Sequence, residues 1–337
     1  MPIPTFIATA ALHIPDGFLS APTAVVGIVL AVVIVGYALR KTSDTLGERQ
    51  IPLLGVMAAF IFAAQAINFP VIGGTSGHLI GGALVAIILG PWAGVLVMTV
   101  VVGLQSLLFQ DGGLLALGWN ILNMAAICVL SAYLVYGLVR RLLGQNRYTL
   151  IISAAFAAWF SVVLSATSAG LALALSDAGL LSAIPAMAGI HALIGIGEAL
   201  ITVAAVVLIT RSRPALTENR PQEAGYRASY VVGGGLIIAV IIAVFSIFSS
   251  SSPDGLERVA LDFGFANRAV QPLMEIMPDY TLPGFEGELA GIVVVIVGLL
   301  AAAAAALFAA YLLRAVKKTG DRLDEDGSSG GISSPGD

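Results

Sequence analysis

Histidine is the residue type in this sequence with the most chemistry to offer, and there are only three of them. His13 follows Leu12 near the start of the chain, and His78 comes directly after the glycine-rich run 73–77. An imidazole suits Zn, Cu, Fe or Ni, and a square-planar set of nitrogens favours Cu(II) or Ni(II). Two histidines therefore suggest a metal site, although each can equally make a hydrogen bond in a polar interface.

His191 and Glu198 form a second feature, within one apolar block. Their spacing of seven residues places both side chains on one helix face, two turns apart. Because an ionisable side chain inside a membrane is costly, it usually marks a transport pathway or a pairing site. A hydrogen bond that packs two helices together is the alternative interpretation for this pair.

Several amide and hydroxyl side chains also lie in or beside the apolar blocks. Such groups can orient a metal-bound histidine by hydrogen bonding to it. They can equally join helices, which is the commoner use of membrane amides. The candidates for the first role are Asn68, Ser76, Gln105, Asn120 and Asn123.

Motifs for enzymatic chemistry are missing from the sequence. No lysine follows a glycine, so there is no Walker A phosphate loop and we expect the chain not to hydrolyse ATP itself. There is also no GxSxG elbow, HExxH helix or CxxC pair, and Cys128 is the only cysteine. We therefore expect no catalytic residue, no enzymatic activity and no resident cofactor.

Composition indicates which elements must position these residues. Of the 337 residues, 58% are hydrophobic and 11% are charged, against about 25% charged in an average soluble domain. The apolar residues are gathered in blocks near the length of a bilayer crossing, about 20 residues. The sequence therefore predicts an all-α, polytopic helical bundle in the lipid bilayer. The lack of a basic patch excludes nucleic acid as a partner.

Nine apolar blocks can be marked along the chain, seven before a polar linker and two after it. They cover residues 21–39, 51–67, 76–90, 91–109, 118–139, 150–176, 190–210, 229–248 and 289–313. The block 76–90 is short and glycine-rich, and it stops at Gly90-Pro91, a pair typical of a helix end followed by a new first turn.

Basic residues predict the orientation of these nine spans. With nine crossings, fourteen of the sixteen Lys and Arg residues fall on one side, and only Arg258 and Arg268 fall on the other. Because Lys and Arg concentrate in cytoplasmic loops, we expect an external N-terminus and a cytoplasmic C-terminus in the plasma membrane. His13 and His78 then reach the same outer level. The outer side also collects Asp16, Asp111, Asp177 and the acidic stretch 254–288.

Changes of composition divide the chain into five predicted parts. They are an N-terminal extension 1–12, a membrane core 13–210 that carries the candidate metal ligands, a polar cytoplasmic linker 211–228, a two-span module 229–314 with a long outer loop, and a disordered cytoplasmic tail 315–337. The part 229–314 is called the C-terminal module below.

Four stretches of the core resemble a known family, the cobalt/nickel substrate-binding membrane subunit of energy-coupling-factor transporters (CbiM/NikM). They are His13-Ile-Pro-Asp-Gly-Phe-Leu19, Ile67-Asn-Phe-Pro-Val-Ile-Gly-Gly-Thr-Ser-Gly-His78, Phe109-Gln-Asp-Gly-Gly-Leu114 and His191-Ala-Leu-Ile-Gly-Ile-Gly-Glu198. In the C-terminal module, Pro253-Asp-Gly-Leu-Glu257 with its flanking spans resembles the small companion subunit of the same transporters, here fused to the core.

The resemblance implies the substrate-capture component of an ATP-driven importer for Co²⁺ or Ni²⁺, with the ion as transported substrate. It implies a square-planar nitrogen site, in which His13 supplies ring and backbone nitrogens and His78 supplies a second imidazole. A free N-terminal amine completes the family's site, and Leu12 holds that position here. The implied partners are a transmembrane coupling subunit and a pair of cytoplasmic ATPase subunits.

Leu12 departs from the family pattern, because eleven residues precede it in this sequence. It has a free amine only if it is the mature N-terminus. Three explanations stay open: proteolysis exposes Leu12, translation begins at Leu12, or the site is built differently. The stretch 1–12 lacks the basic region and the apolar core of a secretory signal peptide.

Two other functions fit parts of the sequence. A membrane-embedded metalloenzyme would use His191 and Glu198 as ligands, but no further His or Cys is found at the same depth. A passive divalent-cation channel needs a ring of acidic side chains along the spans, and only Glu198 is intramembrane. Nickel and cobalt are not separated by the sequence, because both accept imidazole and amine nitrogens.

Overall fold

A computed structural model describes residues 13–47, 50–212, 228–270, 276–277, 280–281, 284 and 287–329 of the chain. Over these residues the protein is a bundle of helices with one short β-hairpin, so the predicted polytopic helical fold is confirmed. The helices are α1 (Ala21–Thr45), α2 (Ile51–Gln65), α3 (Gly82–Leu89), α4 (Pro91–Leu104), α5 (Leu117–Asn120), α6 (Cys128–Leu143), α7 (Arg147–Ser176), α8 (Ala183–Ser212), α9 (Ala228–Phe245), α10 (Gly255–Asp262) and α11 (Glu288–Ser329), and the strands are β1 (Asn68–Val71) and β2 (Thr75–His78).

Six helical stretches of the described chain are long and apolar enough to cross a membrane. They are Ala21–Thr45, Pro91–Phe109, Leu117–Leu143, Arg147–Ser176, Ala178–Arg211 and Leu289–Ala315. Two shorter apolar helices, Ile51–Gln65 and Val232–Phe248, accompany them. Eight of the nine predicted blocks therefore correspond to one of these helices.

The ninth block, 76–90, differs from its prediction. It begins inside β2, and the helix that follows, α3, has only 8 residues. That length rises about 12 Å, against a hydrocarbon core of about 30 Å, so α3 is too short to cross alone. β1 and β2 form an antiparallel hairpin in which Asn68 pairs with His78. Gly73 and Gly74 close the hairpin with φ of 99° and 73°, a conformation that favours glycine over a helix-forming residue.

Two π-helical segments flank a turn at one end of the bundle. They are Gln105–Phe109, directly after α4, and Ile121–Ile127, directly before α6. Such π segments are rare and occur frequently at functional sites. The N-terminal segment lies on this turn, because Gly113 N donates to Ile14 O at 2.9 Å. A side chain at Gly113 would overlap the Asp16 carboxylate, so the close approach requires glycine there.

The C-terminal module packs on the core both in the bundle and over the hairpin. In the bundle, α9 and α11 lie against α2, where small residues permit close approach. A Cβ added to Gly55 of α2 would lie 2.7 Å from Leu307 of α11. Over the hairpin, Ser76 N donates to Pro253 O and Ser250 N donates to Asn68 O, both at 2.8 Å. The predicted outer loop therefore lies along the hairpin, and α10 contacts α8.

The structure describes some of the predicted boundaries between parts of the chain and not others. Helix α11 runs to Ser329, past residue 315, where the disordered tail was expected to begin. Once a helix has formed, each further residue that takes up the helical conformation adds one hydrogen bond, so the helix can continue beyond the apolar span. The extension 1–12 and residues 213–227 of the linker lie outside the described residues.

Candidate metal centre

All three histidines of the sequence line one small cavity at the hairpin end of the bundle. The cavity has a volume of about 60 Å³. A single water needs roughly 10–15 Å³ by the same measure, so there is room for one ion and a few small ligands. The polar residues that line it with the histidines are Asn120, Asn123, Ser165 and Asp254.

His13 is fully enclosed, and its two ring nitrogens have different surroundings. Nδ1 lies 2.8 Å from Oδ1 of Asp111 and 3.0 Å from the Asp111 carbonyl oxygen. Both partners are acceptors, so Nδ1 carries the hydrogen. Nε2 is buried and has no hydrogen-bond partner among the described residues. In a neutral ring this second nitrogen holds the lone pair that a metal ion requires.

The charges of His13 and Asp111 support each other. Burial alone lowers the pKa of His13, but the charge and hydrogen bonds of Asp111 outweigh it and hold this pKa above its ordinary value. Burial likewise opposes ionisation of Asp111, and the His13 ring and the Tyr280 hydroxyl hold the pKa of Asp111 below its ordinary value. A stable carboxylate therefore stands directly behind the His13 imidazole.

His78 lies at the end of β2, and its ring and the ring of His13 are arranged edge to face. The two centroids are 6.0 Å apart and the planes meet at 65°. A nitrogen–metal distance of about 2.0–2.1 Å from each ring is compatible with one ion between them. Nδ1 of His78 lies 3.1 Å from the carbonyl oxygen of Leu79, so a neutral ring carries its lone pair on Nε2.

His191 and Glu198 share a helix face but have different environments. Nδ1 of His191 donates to Met187 O at 2.8 Å, and its ring borders the cavity, packed against Gly255 of the PDGLE segment. Glu198 is fully buried outside the cavity lining, and its two oxygens accept hydrogen bonds from Ile80 N and Gly81 N at 2.7 and 2.8 Å. The pair therefore does not form one site, and Glu198 instead fixes the chain that follows His78.

Of the amide and hydroxyl residues predicted to support the histidines, Asn120 and Asn123 border the cavity. Asn120 makes a reciprocal pair with Ile14, accepting from its N and donating to its O, both at 3.0 Å, so it fixes the chain next to His13. Oδ1 of Asn123 is buried without a partner in the described part of the chain. Asn123 and His13 thus each leave one unpaired polar atom at this cavity.

Asn68, Ser76 and Gln105 act at a greater distance from the histidines. Asn68 N donates to Ser249 Oγ, and Ser76 Oγ donates to Ser252 O, both at 2.7 Å, so these two residues hold the outer loop of the C-terminal module on the hairpin. Gln105 donates to Gln65 Oε1 at 2.9 Å, inside the bundle.

Three residues of the site were not predicted as such: Asp111, Asp254 and Tyr280. Asp111 and Asp254 were noted as acidic residues of the outer side and as members of the stretches Phe109–Leu114 and Pro253–Glu257, without a role at the site. Asp254 is buried, and its Oδ1 accepts from Glu257 N at 2.7 Å to cap α10. Burial raises the pKa of Asp254 to about 7. The signal that could have found it is its place in the stretch Pro253–Glu257, which resembles the companion subunit.

The described side chains supply part of an ion's coordination. Among them, no group of three or more His, Cys, Asp or Glu side chains is placed to hold a metal ion. An ion between His13 and His78 would therefore need further ligands from backbone, an amine or water. Leu12, whose amine is the implied donor, lies outside the described residues.

Comparison with known proteins places these residues in a wider group. The sequence profile described as "Cobalt uptake substrate-specific transmembrane region" matches residues 13–216, and the PDGLE domain profile matches 229–315. The chain is 37% identical over 284 residues to the "Putative fused nickel transport protein NikMN" of Archaeoglobus fulgidus, which covers 82% of this chain and 90% of that protein. It is 32% identical over 297 residues to the fused nickel transport protein NikMN of Rhodobacter capsulatus, covering 83% and 85%.

A solved structure is also similar to the core. The crystal structure of a truncated transition metal transporter superposes with a TM-score of 0.54 at 33% sequence identity, covering 59% of this chain and 99% of that one.

Proposed function

The chain belongs to the CbiM family of cobalt-uptake substrate-specific transmembrane proteins and carries a PDGLE domain, and from this membership we propose that it captures Ni²⁺ or Co²⁺ for an ATP-driven importer of the energy-coupling-factor type. Membership makes it a multi-pass transport protein, not an enzyme, and makes the metal its substrate and not a cofactor.

The observation that carries the proposal is the cavity between His13 and His78. Two imidazoles lie with their centroids 6.0 Å apart there, and Nε2 of His13 and Oδ1 of Asn123 are buried without partners among the described residues. An unpaired buried polar atom costs about 1–3 kcal/mol, which binding of an ion with its water ligands would recover. A purely structural histidine pair would be expected to satisfy both of its nitrogens.

We propose two donor sets, according to the mature N-terminus. With residues 1–12 attached, Nε2 of His13 and a ring nitrogen of His78 bind the ion, and water completes its coordination. With Leu12 as the first residue, its amine and the backbone nitrogen of His13 join them, and the backbone nitrogen releases its proton to water as it binds. His13 then binds through Nδ1, the ring nitrogen nearer to the main chain, and the ion replaces Asp111 at that nitrogen.

The proposed partners are a transmembrane coupling subunit and a pair of cytoplasmic ATPases, because the sequence has no phosphate-binding loop. The proposed orientation places the hairpin and the cavity on the outer side, in agreement with the distribution of basic residues. The alternative of a metalloenzyme built on His191 and Glu198 has no support, since both Glu198 oxygens bind backbone amides away from the cavity.

Replacing one imidazole tests the proposal. We expect His78→Ala to abolish high-affinity binding of Ni²⁺ and Co²⁺ by the purified chain, measured by equilibrium titration in detergent, with intact mass recorded to identify the N-terminus. Ile72→Ala is the matched control, because Ile72 lies 87% exposed at the tip of the same hairpin. Unchanged binding by His78→Ala would refute the assignment.

Uptake by cells extends the same comparison to the partners. Wild-type chain with the coupling and ATPase subunits should accumulate Ni²⁺, and His78→Ala should not. Accumulation by the chain alone would instead indicate a passive channel.

A further inference from the structure

Tyr280 belongs to the outer loop of the C-terminal module, and its partly buried ring packs against the core of the bundle. It stacks on Phe109 with centroids 4.9 Å apart and an interplanar angle of 17°, and it lies 6.1 Å from the ring of Phe62. Its φ is 57°, a left-handed conformation that bulky residues seldom adopt. Strain of this kind persists where the surroundings fix it, and it is concentrated at functional positions.

The hydroxyl of Tyr280 reaches the carboxylate behind the metal centre. It donates to Oδ2 of Asp111 at 2.8 Å, while Oδ1 of the same carboxylate accepts from Nδ1 of His13 at 2.8 Å. Each oxygen of Asp111 therefore has a donor, and the plane of the carboxylate is fixed from two sides. A second group that orients the hydrogen-bond partner of a metal ligand in this way also orients the ligand.

A second arm of the same hydrogen-bond network leads towards His78. Nε2 of Gln105 lies 3.3 Å from the Tyr280 hydroxyl and donates to Oε1 of Gln65 at 2.9 Å. Nε2 of Gln65 donates to Ile80 O at 2.8 Å, two residues after His78. Tyr280 thus stands at the junction between the segments that carry the two imidazoles.

The backbone beside Tyr280 is also attached to the core. Met277 N donates to Leu108 O at 3.0 Å, within the π-helical segment 105–109. The loop is therefore anchored to the element that carries Gln105, and its position determines where the hydroxyl lies.

We propose that Tyr280 is a positioning residue of the metal centre, through which the outer loop of the C-terminal module holds Asp111 and the His13 ring in their binding geometry. For its metal-binding consequence this inference rests on the first donor set of the proposed function, in which the ion binds Nε2 of His13 and Asp111 stays at Nδ1. Its structural part, the link from Tyr280 to the His13 ring, does not depend on any metal.

The decisive measurement uses the ion-free protein. Because the whole sequence has three histidines, the intact chain labelled with [15N]histidine and placed in lipid nanodiscs gives three sets of ring-nitrogen signals, assigned with single His→Gln variants. We expect Tyr280→Phe, which removes only the hydroxyl, to shift the Nδ1 signal of His13 in the same direction as Asp111→Asn, and to leave His191 unmoved. Tyr311→Phe, at an exposed tyrosine of the same module, should move no signal.

Titration with Ni²⁺ alone supplies the functional readout. Substitution of residues that support a metal ligand typically weakens binding by 10–100-fold, so we expect about tenfold weaker binding by Tyr280→Phe and none of this loss in Tyr311→Phe. Unchanged His13 signals in Tyr280→Phe would overturn the inference, even with weaker binding, because the ring would then act through packing alone. A wild-type chain that binds no Ni²⁺ would contradict the proposed function, while the ion-free spectra would still decide the role of Tyr280.

Discussion

Glu198 uses both carboxylate oxygens to hold the backbone of Ile80 and Gly81, directly after His78. A glutamine offers one oxygen and one NH₂ group, so it can accept only one of these bonds and turns a donor towards the other amide. A hydrogen bond to a charged group contributes about 1.5–3 kcal/mol. We therefore expect Glu198→Gln to lower the free energy of unfolding by about 2 kcal/mol, measured by thermal unfolding of the purified protein in detergent.

Thr202→Val is the matched control for this substitution. Thr202 is buried one turn further along α8, and its hydroxyl has no hydrogen-bond partner in the described chain, so its removal breaks no hydrogen bond and should not lower the free energy of unfolding. If Glu198→Gln kept full stability but stopped metal uptake, Glu198 would be a pathway residue and the anchoring role would be wrong.

Among single residues, the sequence singled out the two imidazoles that the structure brings to one cavity, but not the groups that orient them. His13 and His78 could be found because histidine is rare here and both lie in motifs of the resembled family. Asp111 is 98 residues from His13, and Tyr280 is 169 residues from Asp111. Patterns of residue spacing reveal only contacts between residues that are close in the sequence. The contacts among these three residues are therefore visible only in the folded chain.

Among the elements, the β1–β2 hairpin is where structure and sequence differ most. Each of its strands has four residues. In a short, apolar, glycine-rich block, hydrophobic periodicity does not distinguish a strand from a short helix. Gly73 and Gly74, in the glycine-rich run before His78, are the residues that close the hairpin. The hairpin is held against α8 by a close approach at Gly77, where an added Cβ would lie 2.5 Å from Cγ2 of Ile194.

Gly77→Ala tests whether that close approach positions His78. The new methyl group must push β2 away from α8, and overpacking of this kind costs about 1–3 kcal/mol. We expect Ni²⁺ binding to weaken about tenfold. That loss corresponds to about 1.4 kcal/mol of binding free energy, which lies within the range of the overpacking cost. Equilibrium titration of the purified variant measures the effect.

Two further variants make this result specific. Gly77→Ala combined with Ile194→Ala removes the obstructing side chain and should recover much of the lost affinity. Gly103→Ala in α4 places its methyl group where no atom lies within 4 Å and should leave binding unchanged. A double variant as weak as Gly77→Ala alone would show that the contact with Ile194 is not the cause.

Across the whole molecule, the C-terminal module forms part of the wall of the histidine-lined cavity. Its loop pairs with the hairpin, places Asp254 at the cavity and sends Tyr280 to Asp111. Composition predicted that such a module exists, since an apolar pair of spans follows a polar linker. It could not predict the docking, because the contacts with α2 depend on small residues that have no pattern of their own, such as Gly55 and Gly235.

The orientation of the whole molecule decides from which side an ion reaches this centre. Cys128, the only native cysteine, is fully buried, so single cysteines added at exposed positions can be detected with a membrane-impermeant maleimide. Ile72 is 87% exposed at the hairpin tip, and Leu143 is 53% exposed after the basic pair Arg140 and Arg141. Because Lys and Arg favour the cytoplasmic side, we expect Ile72→Cys to react in intact cells and Leu143→Cys to react only after the membrane is permeabilised. The reverse pattern would place the cavity at the cytoplasmic face, where it could not capture an external ion.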